Sequence, residues 1–74
     1  MDGRQEFIDC VAGTDLAREF FHDRMADLEA GKYKTMENFW YSVERIDGMV
    51  NAVAFVRGED GKPARKEYSW EIPK

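Results

Sequence analysis

Apolar residues recur at helical spacing in the first thirty-one positions and alternate with polar ones from position 38 onward. Phe7, Ile8 and Val11 share one face of a short helix over 3–12, which Gly13 ends. Leu16, Ala17, Phe20, Phe21, Met25 and Leu28 form an apolar arc about half the circumference wide on a main helix over 15–30. Thr14 or Asp15 is placed to cap its first N–H groups, and Gly31 stops it.

The second half reads as strands. Phe39, Tyr41 and Val43 alternate with Trp40, Ser42 and Glu44, predicting a strand over 38–46. Val50, Ala52, Ala54 and Val56 alternate with Asn51, Val53 and Phe55 in a strand over 49–57. Between them, Asp47-Gly48 is a hairpin signal, because a type I′ turn needs positive φ at both central residues. A single helix over 37–57 is the competing reading. It would bury Gly48 mid-helix among β-branched and aromatic residues. A two-residue turn pairs Ile46 with Met49. It puts Phe39, Tyr41, Val43, Val50, Ala52, Ala54 and Val56 on one apolar face, whose small alanines make a seat for the main helix. Tyr68, Trp70 and Ile72 face the same way in a third strand over 66–72, ended by Pro73. The expected fold is α+β: two helices packed on a three-stranded antiparallel β-meander, in the order ααβββ, as one domain over 1–74.

The opposite sheet face carries Trp40, Ser42, Glu44, Asn51, Val53 and Phe55, with Trp40 across from Phe55. Such a face is either a contact surface or is covered by a second layer. The short first helix is the candidate cover.

Composition narrows the function classes. The chain has 74 residues, 43 % apolar and 14 % aromatic, which argues against disorder despite 35 % charged residues. A chain this short buries roughly 60 % of its unfolded surface. One cysteine excludes an internal disulfide, and with one histidine provides no zinc set. No cofactor is implied. The N-terminus MDGRQEFIDC lacks a charged-then-apolar signal pattern, and no apolar run approaches the ~20 residues of a membrane span. The expectation is a cytoplasmic protein with no membrane contact.

Net charge is −4, unevenly spread. Residues 1–31 hold eight acids and three bases; residues 32–74 hold seven acids and eight bases. Asp15, Glu19, Asp23 and Asp27 recur every fourth residue along the main helix. An ordinary solvated face gives this pattern, and so does a surface complementary to a basic partner. Like charges at this spacing cost a few tenths of a kcal/mol per pair, which Arg18 and Arg24 are placed to offset. Arg57, Lys62, Arg65 and Lys66 surround the loop Gly58-Glu59-Asp60-Gly61. With Trp40 and Phe55, Arg57 and Lys66 would suit a single-stranded nucleic-acid binder. The acids inside the loop and the acidic chain as a whole disfavour it.

Catalysis has little to stand on. Cys10 and His22 lie on separate helices, and nothing places them within reach of each other or of an orienting group. The reading is therefore a binding module and not an enzyme. Asp15, Glu19, Asp23 and Asp27 would contact a basic surface of another protein, with Trp40 and Phe55 assisting. Stoichiometric inhibitors and adaptors of phage type or immunity type work this way, an analogy of class. The alternative is a homodimer using the Trp40–Phe55 face.

Overall fold

The computed structural model describes residues 3–72. Two helices, α1 (Gly3–Val11) and α2 (Asp15–Glu29), precede four strands: β1 (Thr35–Glu37), β2 (Tyr41–Ile46), β3 (Met49–Arg57) and β4 (Pro63–Glu71). The strands form one antiparallel sheet in the order β1-β2-β3-β4. The architecture is α+β as expected, but the order is ααββββ instead of ααβββ.

The extra strand comes from a turn inside the segment read as one strand over 38–46. The Asn38 side chain accepts from the backbone N–H groups of Trp40 (2.9 Å) and Tyr41 (3.1 Å), and Asn38 N–H donates to the Tyr41 carbonyl (2.9 Å). This folds the chain back on itself, so Met36 pairs with Val43 and Glu37 with Ser42. An asparagine satisfying its own following backbone is a turn former, not a strand residue.

The Asp47-Gly48 hairpin has the expected form. Both residues take positive φ, 49° and 82°, and Ile46 pairs with Met49. Tyr41, Val43, Val50, Ala52 and Ala54 are all buried on one face. On β4, Tyr68 and Trp70 turn to that face, paired with Ala52 and Val50. The strand begins at Pro63, three residues before the expected start, because the loop ahead of it is tightly closed. Gly58 N–H donates to the Lys62 carbonyl (2.8 Å), and Asp60 accepts from Lys62 N–H (3.0 Å).

Helix α2 is capped as its ends suggest. Thr14 Oγ1 accepts from Ala17 N–H at 3.1 Å. At the other end Gly31 N–H donates to the Leu28 carbonyl and Lys32 N–H to that of Asp27, the paired bonds of a Schellman ending. Helix α1 stops at Val11, and Gly13 does not take a left-handed φ there.

Both helices lie on the same face of the sheet, which corrects the idea that α1 covers the other side. Phe7 and Ile8 are completely buried. The Phe7 ring lies 6.2 Å from Tyr41 on β2 and 6.0 and 6.1 Å from Tyr68 and Trp70 on β4. It therefore sits over β3, in the room left by Ala52 and Ala54. The short helix, not the main one, takes that seat. Helix α2 runs obliquely, from Phe21 against Tyr41 (5.4 Å) to Glu29 against Trp70.

Sharing the sheet narrows the buried stripe of α2 to Phe21, Met25 and Leu28. At about 100° per residue, Phe20 lies about 100° and Leu16 about 140° around the helix from Phe21. Both are left outside the core: Leu16 is 76 % exposed and Phe20 49 %.

Candidate protein-binding surfaces

The acidic stripe of α2 does face solvent, but its four members are not equivalent. Asp15 pairs with Arg18 (2.8 Å), which also reaches Asp9 (3.1 Å). Asp27 pairs with Lys32 (3.3 Å). Among the described residues, neither Glu19 nor Asp23 forms an ion pair, and both are exposed. The expected offset by Arg24 does not occur. Its guanidinium stacks over Phe20 (5.0 Å) and Tyr33 (5.9 Å) and donates to the Tyr33 hydroxyl (2.8 Å). The centre of the stripe is thus two carboxylates flanked by two exposed apolar side chains, Leu16 and Phe20.

A ladder of rings leads from this face to the Asn38 turn. Phe20 meets Phe21 edge-on (5.6 Å), Phe21 meets Tyr41, Tyr41 meets Trp40 (6.1 Å), and Trp40 meets Phe39 (4.4 Å). Its two ends are exposed and its middle is core. Phe39, expected on the apolar face, is instead 86 % exposed at the tip of the turn. A cleft of about 340 Å³ lies between Phe39, Trp40, Phe55, Arg57 and Pro63.

Trp40 and Phe55 are opposite each other as expected, joined by a bond from Phe55 N–H to the Trp40 carbonyl (2.9 Å). Neither helix covers them, and this outer sheet face stays open, with Trp40 39 % and Phe55 46 % exposed. Register also separates the basic residues. Arg65 pairs with Phe55 on the outer face, whereas Lys66 pairs with buried Ala54 and belongs to the other side. The set Trp40, Phe55, Arg57 and Lys66 therefore does not share one surface. Arg65 is moreover engaged by Glu67 (3.2 Å).

Comparisons with protein-family models, curated proteins and solved structures return no match.

The residues considered for catalysis lie in structural settings. His22 Nδ1 is 2.8 Å from Arg4 Nη1, and since guanidinium only donates, the histidine nitrogen must accept. Arg4 also donates to the His22 carbonyl (3.1 Å) and to Glu29 (3.2 Å). Cys10 lies beside Tyr68, whose hydroxyl is held above its ordinary pKa by burial, by the hydrogen bond to Cys10, and by the charges of Cys10 and Glu6. Among the described residues, no three His, Cys, Asp or Glu side chains gather as a metal site, and no helix is long and apolar enough to cross a membrane.

Periodicity alone places Leu16, Phe20 and Phe39 on apolar faces. Asn38 carried the one local signal that could have released Phe39, through its preference for turns. Nothing local marks Leu16 or Phe20, since their exposure depends on where α1 sits.

Proposed function

We propose that this chain is a protein-binding module that acts by occupying a basic surface of a target protein, as a stoichiometric inhibitor or adaptor, and that it is not an enzyme. The contact is the outer face of α2. Glu19 and Asp23 supply open negative charge, with Asp15 and Asp27 at the ends of the same stripe. Leu16 and Phe20 supply the apolar anchor that a purely charged surface lacks.

The observation that carries this reading is the exposure of Leu16 and Phe20 beside carboxylates that form no ion pair among the described residues. Interfaces combine a desolvated apolar or aromatic centre with a charged rim, and the rim steers encounter. Leu16 and Phe20 stand four residues apart, so their exposure makes one patch on the helix and not two scattered side chains. The acidic half of the chain favours a basic target.

The test uses immobilised chain as bait in a lysate of its host, beside a variant carrying Asp15, Glu19, Asp23 and Asp27 all changed to Asn and a second variant carrying Leu16→Ser and Phe20→Ser. The expected result is a protein retained by the original chain and lost by both variants, whose circular dichroism is unchanged. Equal retention by all three baits overturns the reading.

A further inference from the structure

We propose that the outer sheet face joins two copies of this chain in a twofold-symmetric dimer, packed face to face about an axis that crosses the strands between Val53 and Phe55. This does not rest on the α2 reading: α2 lies on the other side of the sheet, so both its copies stay open in the dimer.

The argument begins with register. Trp40 just before β2, Ser42 and Glu44 on β2, Asn51, Val53, Phe55 and Arg57 on β3, and Arg65, Glu67 and Ser69 on β4 all point away from the helices. A rotation about an axis perpendicular to the strands lays each strand over its own copy, running in reverse. With the axis between Val53 and Phe55, the residue positions on this face become self-complementary. Phe55 covers Val53 of the second copy, and Trp40 covers Ser42. On β4 the same axis falls at Lys66, so Arg65 meets Glu67 of the second copy, and Glu67 meets its Arg65. The ion pair within each chain (3.2 Å) becomes half of a four-charge cluster of alternating sign. Arg57 comes over Asn51, one strand away from Glu44. An isologous interface requires this reciprocity, in which residue i meets j and j meets i.

Area bounds the strength of this contact. Strands of three, six, nine and nine residues, at about 3.3 Å per residue and about 4.8 Å between strands, give a face of roughly 430 Å². Two such faces bury roughly 860 Å², below the roughly 1,000 Å² of a stable interface and in the range of a weak one, which fits an equilibrium that depends on concentration. A second copy supplies both the matching sheet and the matching charge pattern.

Sedimentation equilibrium of the full chain tests this. The original chain is expected to show a concentration-dependent monomer–dimer equilibrium. Arg65→Glu alone and Glu67→Arg alone each set like charges against each other across the axis, and each should raise the dimer dissociation constant roughly tenfold or more. An equimolar mixture of the two variants pairs opposite charges at both positions and should recover dimer formation. Phe55→Lys should weaken the dimer as well. If it fails to fold, the charge variants, which alter exposed side chains, decide the matter. A chain that stays monomeric at every concentration overturns the proposal. So does a dimer unaffected by Arg65→Glu, or a mixture no tighter than its components. Neutralising the four acids of α2 should leave dimerisation unchanged, so loss of target binding and loss of the dimer are separable.

Discussion

The indole Nε1 of Trp70 donates to Glu29 Oε2 at 2.8 Å, across 41 positions of chain. The other oxygen of the same carboxylate accepts from Arg4 at 3.2 Å. One side chain thereby ties the end of α2 to both β4 and α1, and its own exposure is only 12 %.

Replacing Glu29 by Ala should therefore cost about 2–3 kcal/mol, because it leaves a partly buried indole N–H without its acceptor and removes the Arg4 ion pair. Urea denaturation followed by tryptophan fluorescence should show a lower midpoint at an unchanged slope. Asp23→Ala, on the exposed face of α2, should stay within about 0.5 kcal/mol of the original. Equal midpoints for the two variants would contradict the bridging role.

Gly3 lies so close to β4 that a Cβ there would stand 2.5 Å from the Ser69 carbonyl oxygen. Gly3→Ala must lift the start of α1 from the strand, at about 1–3 kcal/mol. Gly13, with open space around it and no left-handed φ, tolerates Ala with no loss. Thermal melts of the two variants should separate by at least about 4 °C.

Leu16 and Leu28 stand twelve residues apart on the same helix with opposite fates, 76 % exposed against 0 %. Leu28→Ala should cost about 2–5 kcal/mol through lost burial and the cavity left behind. Leu16→Ala should cost no more than about 0.5 kcal/mol. Chemical denaturation of both variants checks the assignment, and comparable losses would place Leu16 in the core.

Asn38 makes the turn that presents Phe39 and Trp40. Asn38→Ala removes the acceptor of two backbone N–H groups and should lower stability by about 1 kcal/mol. The amides of Trp40 and Tyr41 should exchange faster with deuterium, while that of Val43 in the core should change little. Unaltered exchange at Trp40 would show that the turn does not need this side chain.

The raised pKa of Tyr68 sets an alkaline limit. Burial acts first, then the hydrogen bond to Cys10 and the charges of Cys10 and Glu6. The unfolded chain releases this proton near pH 10.0, while the folded chain still holds it. Stability from this group is thus complete below pH 10 and falls as pH rises through the folded value. Tyr68→Phe should flatten that part of the stability–pH curve, and an unchanged alkaline limb would assign it to other groups.

Much of this protein is legible one segment at a time. The cap at Thr14, the Asp47-Gly48 turn, the Ile46–Met49 register and the burial of Tyr41, Val43, Val50, Ala52 and Ala54 follow from short-range rules. Turn geometry, capping and period-2 alternation act over a few residues, and register carries them to Trp40 and Phe55. Tertiary structure decided the rest. Two helices compete for one small sheet, and α1 wins the hollow above Ala52 and Ala54 because Phe7 fills it between Tyr41, Tyr68 and Trp70. That leaves α2 a narrow contact, puts Leu16 and Phe20 in solvent, and leaves the outer sheet face uncovered. No local pattern encodes that competition, since apolar periodicity states which residues can be buried and only packing settles which of them are.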